Sequence, residues 1–325
     1  MTTLNRRAMV LTGIAAAAGF APESRAQAWP AKPIRWIVPY TAGGLTDVVT
    51  RLVLSKMNVG QPFVVDNKPG ANALIAAEFV ANAPPDGYTL ATFITAQATN
   101  KTLYAGKTKF DLVKSFEPIS LVSESPLIIC VSNDLPVKTV GELIAYAKKN
   151  PGKISYGSTG IGAAAHLTTE LIKQIAGIDM VHVPYKGTAP ALADLVSGNI
   201  QLLLEVPIGV MSQINAGKIR GLALLAKERV PAIKEIPTIV ESGGPPIVAS
   251  SWSMFFAPAG TPREIIDKVS QAAIEALKDN EVRSRLIEQA VVPIGTTPAE
   301  ATKFLHSEFD RWEKVINSAG VKIEG

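Results

Sequence analysis

Two stretches of the chain pair residue types in a way that suits capture of an anion. The first is Val38-Pro39-Tyr40-Thr41-Ala42-Gly43-Gly44-Leu45-Thr46-Asp47, between an apolar run at Ile34 to Val38 and a helical pattern from Thr46 to Met57. A glycine pair lets the backbone approach a ligand closely or take a positive φ. A helix start presents unpaired N–H groups at the positive end of its dipole, which together seat an anion. The second stretch repeats this order, with a strand at Ile154 to Tyr156, the loop Gly157-Ser158-Thr159-Gly160-Ile161-Gly162 and a helix from Ala163. Ser158 and Thr159 offer hydroxyls, and the backbone from Gly160 through Gly162, Ala163 and Ala164 offers N–H groups. Either loop alone is ordinary in an α/β protein; two converging on one cleft favour an anion more strongly than one.

Further candidates follow from position. Tyr40, Thr41, Gly43, Gly44, Leu45, Thr46 and Asp47 form the first jaw, with Asp47 better suited to capping its own helix than to meeting an anion. Thr95, Ala96 and Gln97 follow the third strand, whose end belongs at the same cleft. His166, at the start of the second helix, can reach a carboxylate or pack between lobes. Tyr185 and Lys186 open a third loop of the same type, and Glu205 closes the strand from Ile200 to Leu204. His182, alternating with apolar neighbours, reads as structural.

Other chemistries find less support. Gly157-x-x-Gly160-x-Gly162 does not have dinucleotide-binding spacing, and the Lys-Ser/Thr end of a phosphate-binding P-loop is absent. There is no G-x-S-x-G elbow, and no histidine stands near an evident nucleophile in the sequence. One cysteine, Cys130, and three histidines give a Cys/His zinc site no basis, and no cofactor or metal is expected. Cys130 reads as a buried strand residue. A reading from another class remains: an exported enzyme with His166 and Glu205 as its acid and base.

The elements that must position these loops alternate. Strands at Ile34 to Val38, Phe63 to Asp66 and Thr89 to Phe93 flank helices at Thr46 to Met57 and Leu74 to Asn82, a β-α-β-α-β series that implies a parallel sheet covered on both faces. Apolar strands follow at Ile119 to Val122 and Leu127 to Val131. A second series runs from the helix at Val140 to Lys149 to the strand at Ile219 to Leu225, and Ile247 to Ala257 reads as a strand returning to the first lobe. The rest is helical, with Thr261-Pro262 and Thr297-Pro298 each placing a capping residue before proline. The fold class is therefore α/β, with two lobes, each a mostly parallel sheet flanked by helices. They are joined by two crossings, and divide as residues 29–127 plus 248–325 for lobe one and 128–247 for lobe two.

Residues 1–28 have the pattern of a cleaved export signal: Arg6 and Arg7, an apolar run from Ala8 to Phe20, and Ala26-Gln27-Ala28 before the cut. The arginine pair leaves both the general and the twin-arginine routes open. Removing the leader lowers the formal charge from +4 to 29 basic against 27 acidic residues. No basic run with interleaved aromatics remains, so a nucleic-acid partner is not expected. No later segment reaches the roughly 18 to 20 apolar residues of a membrane span.

The ordered motifs Trp29-Pro30-x-Lys32-Pro33-Ile34-Arg35-Trp36-Ile37-Val38-Pro39, Gly43-Gly44-Leu45-Thr46-Asp47, Val65-x-Asn67-Lys68-Pro69-Gly70-Ala71-Asn72, Pro84-x-Asp86-Gly87-Tyr88-Thr89-Leu90, Tyr156-Gly157-Ser158-x-Gly160, Val181-His182-Val183-Pro184-Tyr185-Lys186-Gly187 and Phe256-Ala257-Pro258-Ala259-Gly260-Thr261-Pro262 resemble the Bug family. These are the extracytoplasmic substrate-binding proteins of tripartite tricarboxylate transporters. The resemblance runs from Trp29 to the C-terminal helix. It implies a type II periplasmic-binding-protein fold whose lobes close on a small carboxylate, held by the loops corresponding to Tyr40–Asp47 and Ser158–His166, often through waters. It also implies a periplasmic monomer that serves membrane permease subunits or a sensor. The chain departs from the family at Thr41-Ala42, where proline or glycine is usual before the glycine pair, and at Glu205, where aspartate is usual. Aliphatic dicarboxylates, acidic amino acids and aromatic carboxylates all stay open as ligands.

Overall fold

The computed structural model describes residues 29–323; the expected leader over residues 1–28 lies outside the described residues. The first apolar run becomes β1 (Ile34–Val38), buried except at Arg35. Helix α1 (Leu45–Leu54) follows it, then β2 (Phe63–Asn67), α2 (Leu74–Ala81), β3 (Thr89–Ile94) and α3 (Ala96–Leu103). Strand β4 (Phe116–Pro126) then leads into β5 (Ile128–Ser132). The second series is α4 (Val140–Lys149), β6 (Ser155–Ser158), α5 (Ala164–Ala176), β7 (Val181–Pro184), α6 (Thr188–Val196), β8 (Leu202–Glu205), α7 (Pro207–Asn215) and β9 (Ile219–Leu224). The chain returns as β10 (Ser250–Pro258) and ends with α8 (Arg263–Lys278), α9 (Asn280–Glu288), β11 (Val292–Pro293) and α10 (Pro298–Ala319).

These strands form two sheets, ordered β11-β4-β10-β3-β1-β2 and β7-β6-β8-β5-β9. β1 is parallel to β2 and β3, and β6 is parallel to β7 and β8. The longer strands of each sheet share one direction except β10 and β5, each antiparallel to both neighbours. Both reversed strands follow a crossing. A strand entering from the other lobe starts at the edge where its neighbours finish, so it must run backwards.

The crossings lie side by side. Leu127 N–H donates to Ala249 O at 3.0 Å, Ala249 N–H to Leu225 O at 3.0 Å, and Leu225 N–H to Leu127 O at 2.8 Å. The C-terminal helix α10 braces this junction. Glu308 is 6 % exposed and accepts from the indoles of Trp252 (2.9 Å) and Trp312 (2.8 Å), while its other oxygen lies 3.3 Å from Arg311. Arg311 in turn donates to the carbonyl of Val248, on the returning crossing.

Some elements differ from the sequence expectation. Thr95 to Gln97, read as residues that follow the third strand at the cleft, cap and begin α3, whose Ala-Gln-Ala-Thr-Asn-Lys-Thr-Leu sequence has few apolar residues and is held by packing, with Thr99 and Asn100 buried. β4 extends well beyond Ile119 to Val122, because it pairs with β10 along its length and buries Ser120, Ser123 and Ser125. Thr297 forms the expected capping box with Glu300. Thr261 does not cap: Pro262 takes the N-cap position and the Thr261 hydroxyl donates to Pro258 O at 2.7 Å. Cys130 is buried within β5 as expected.

Replacing Glu308 with alanine would orphan two buried indole donors and release Arg311. We expect it to destabilise the protein by about 3 kcal/mol, read from urea denaturation midpoints.

Candidate functional site

Parallel strands finish at a common edge, so the loops after β1, β2 and β3 share one side of lobe one, and those after β6, β7 and β8 share one side of lobe two. At these edges α1 and α5 begin. Their N-cap residues, Gly44 (φ −76°, ψ 169°) and Ala163 (φ −62°, ψ 151°), have extended cap geometry and supply no side-chain hydrogen bond. By contrast Thr139, Asp279 and Thr297 each cap the helix they precede. The leading N–H groups of α1 and α5 are therefore available to an outside acceptor.

The jaws meet. Leu45 packs against core clusters of both lobes, and Leu167 of α5 belongs to the lobe-one cluster that includes Phe93 and Trp252. Gly162 has φ +81°, and a Cβ there would lie 2.2 Å from Leu103 Cδ1. Only glycine suits both the backbone and the gap.

In the first jaw Asp47 is internally engaged. Its carboxylate accepts from Arg51 Nε (2.9 and 3.0 Å), from Asn67 Nδ2 (3.0 Å) and from Gly43 N–H (3.0 Å). Partial burial pushes the acid upward, but the bonds from Arg51, Gly43 and Asn67 outweigh it and hold the carboxyl below its ordinary value. Asp47 thus shapes the loop, and in place of the expected cap it accepts from Gly43 ahead of the helix, leaving the leading N–H groups of α1 without a side-chain partner. Tyr40 is half-buried, its carbonyl accepts from Asn67 Nδ2 at 2.9 Å, and burial pushes its phenol upward. Thr41, Gly43 and Gly44 are exposed, whereas Thr46 is buried. Gln97 is turned back into lobe one, where its amide donates to Leu112 O at 2.8 Å; Thr95 is buried and accepts from Trp252 N–H at 3.3 Å. Ala96 is 4 % exposed.

The second jaw stands on a column of rings. His166 stacks on His182 with centroids 3.8 Å apart, and His182 stacks on Tyr156 at 4.9 Å. His166 Nδ1 accepts from Gly162 N–H at 3.1 Å, which places its proton on Nε2. His182 Nε2 lies 2.7 Å from Ser158 Oγ, and the same hydroxyl contacts the backbone of Gly160 at 3.0 and 3.2 Å. The expectation that no histidine approaches a nucleophile is therefore corrected. Tyr156 pairs with His182 in the β6–β7 register, which brings the ring beside Ser158. Ser158 is fully buried and tied to its own loop, so the contact sets loop shape. Thr159, Gly160, Ala163 and Ala164 are half-buried along the same edge.

Tyr185 donates its phenol to Asp194 at 2.7 Å, and Lys186 is exposed. Glu205 is 7 % exposed and already paired, accepting from Thr188 Oγ1 and from Val206 N–H, both at 2.8 Å. Burial, the largest influence, raises its carboxyl above the ordinary range despite those bonds. Its carboxyl lies where α6 and α7 begin, and Gly209 leaves it room, since a Cβ there would stand 2.9 Å from Glu205 Cγ. No hydrogen bond joins His166 to Glu205; each is held by its own partners. Asn67 and Thr188, which organise these jaws, were not among the site residues expected from sequence. The signal for Asn67 was its place opposite Val38 in the β1–β2 register.

Burial lowers both imidazoles, from 6.5 to about 4, and each is further shaped by its neighbours. The neutral forms are favoured on folding, so their contribution is complete above pH 6.5, declines as pH falls from 6.5 toward 4, and levels off below. We expect thermal stability to drop over that window by about 2 kcal/mol, and the drop to shrink in His182→Gln, measured by scanning fluorimetry across pH.

Residues 49–321 match the family described as "Tripartite tricarboxylate transporter family receptor". The chain is 32% identical to BugT of Bordetella pertussis over 326 residues, covering 98% of this chain and 99% of BugT. A solved periplasmic transporter superposes with a TM-score of 0.84 at 39% identity, covering 91% of this chain and 100% of that one. Rpa4515 of R. palustris, solved with adipate, superposes at 0.84 with 35% identity over 90% of this chain and 99% of its own. MatC of Rhodopseudomonas palustris, solved with bound malate, does so at 0.79 with 29% identity over 89% and 100%.

Proposed function

The chain belongs to the tripartite tricarboxylate transporter receptor family, and from that premise we propose that it is an exported receptor that captures a small organic carboxylate between its lobes. In this reading residues 1–28 are removed on export, and the mature chain works as a periplasmic monomer without a cofactor. Residues 29–127 plus 248–325 move against residues 128–247 about the paired crossings at Leu127 and Ala249. The closed form delivers ligand to the permease subunits of a tripartite transporter or signals to a sensor.

The observation that carries this reading is the pair of helix N-termini, α1 and α5, on facing jaws with no side-chain cap. A carboxylate supplies what Gly44 and Ala163 do not: acceptor oxygens and negative charge at two dipole ends. Adipate and malate in the related structures support the ligand class. Binding requires only preorganised donors and closure, so no turnover of the ligand is expected.

Isothermal titration with mono-, di- and tricarboxylates, aromatic carboxylates and amino acids tests the proposal; complete absence of binding across that panel would sink it. A sharper test puts the acceptor into the protein. Ala163→Asp supplies a capping carboxylate at an extended N-cap position. We expect it to raise apo stability by about 1 kcal/mol while weakening carboxylate binding by about 100-fold or more, because the seat is filled and like charge repels. Stabilisation with unchanged affinity would place the ligand elsewhere.

A further inference from the structure

The turn after β2 holds an unusual backbone. Ala71, Asn72 and Ala73 are consecutive and all left-handed, with φ of +47°, +49° and +73°. Residues with side chains avoid this region, and such strain persists only where the surroundings impose it. Here the imposing contact is a reciprocal amide pair. Asn72 Nδ2 donates to Asn100 Oδ1 at 2.9 Å, and Asn100 Nδ2 donates to Asn72 O at 2.8 Å. The pair also fixes both amide orientations. Asn100 must present Nδ2 to a carbonyl, so its Oδ1 faces Asn72, which must answer with Nδ2.

This turn leaves the same sheet edge as the Gly43–Asp47 loop, since β1 and β2 are parallel neighbours. It also touches the opposite jaw: a Cβ on Gly162 would stand 3.8 Å from Asn72 Nδ2. Asn72 therefore sits where the lobes meet. Among the described residues no protein group pairs with its Oδ1 or with its second Nδ2 hydrogen. Its strained backbone thus holds one free donor and one free acceptor at the seam of the proposed site.

The two groups select among ligand chemistries. A carboxylate offers acceptors alone and sets an oxygen against Oδ1. An ammonium offers donors alone and needs a counter-charge, yet Asp47 and Glu205 are already engaged. A hydroxyl is donor and acceptor at once. Building on the carboxylate-receptor reading, we infer that Asn72 is a specificity-determining residue whose amide reads a hydroxyl on the ligand, so that the preferred ligands are hydroxycarboxylates.

The test compares matched pairs that differ by one hydroxyl: malate with succinate, lactate with propionate, and mandelate with phenylacetate. Affinities are measured by titration calorimetry for the wild type and for Asn72→Gly, which accepts φ +49° readily. The wild type should bind the hydroxylated member of at least one pair about tenfold or more tighter. In Asn72→Gly that preference should fall below about twofold, whatever change in affinity the two members share. A merely structural Asn72 would move both members alike. Wild-type binding of carboxylates without a hydroxyl preference, or a preference that survives in Asn72→Gly, overturns the inference and leaves the receptor reading standing. Failure of the wild type to bind any carboxylate overturns both.

Discussion

The first N–H groups of α1 and α5 have no partner on their own helices, and neither Gly44 nor Ala163 supplies one from a side chain. A polar cap commonly stabilises a helix by about 1 kcal/mol. The chain takes that stabilisation at Thr139, Asp279 and Thr297 and forgoes it at the seven other described α-helices, α1 and α5 at the interlobe edge among them. Much else at the interlobe edge follows from this choice. Loops with unoccupied donors must be held open by other contacts, and each jaw has an internal brace for the purpose. In the first it is Asp47 with Arg51, Asn67 and Gly43; in the second it is Ser158 and His166, bonded to their own loop.

Those braces also organise the charge. Asp47 would oppose an incoming anion if it were free, but it is neutralised by Arg51 and aimed at its own loop. Glu205 sits at another pair of helix starts and is satisfied by Thr188 and the Val206 amide. The stacked histidines are kept neutral by burial. The potential at the jaws is thus set largely by backbone dipoles, which are fixed in direction and need no reorganisation when an anion arrives. An ammonium side chain would bind as well, but as a point charge on a flexible stem it would hold its partner with less regard to shape.

Much of the fold was legible because apolar runs and capping residues are local. The strands of both lobes, the helix at Val140–Lys149 and the Thr297 cap follow from a few neighbouring residues. So do the two glycine loops, whereas Asp47, read as a cap, lies within the first turn of α1 and accepts from Gly43 ahead of the helix. The misses are non-local. α3 is covered by α10, although its own sequence has few apolar residues. Gln97 turns inward to a carbonyl on the Leu112 segment, which nothing at Gln97 announces. The contact between His182 and Ser158 needs the β6–β7 register, and Asn72 needs Asn100, a partner on another element. Glu205 could be placed at the cleft edge from sequence, but its pairing with Thr188 depends on how α6 starts beside β8.

The place of β10 in its sheet has a bearing on how the chain is made. β3 and β4 are not adjacent; the strand between them is β10, supplied only after the whole second sheet has been traced. Until Ser250–Pro258 arrives, lobe one lacks its centre, with β3 and β4 each exposing an unpaired edge. Lobe two has no such debt to later sequence, since its strands run without interruption from β5 to β9. Synthesis from the N-terminus would therefore complete the second lobe first and close the first lobe around it. A late central strand thus delays closure of lobe one, and the interval is also when an open sheet edge is most exposed to aggregation.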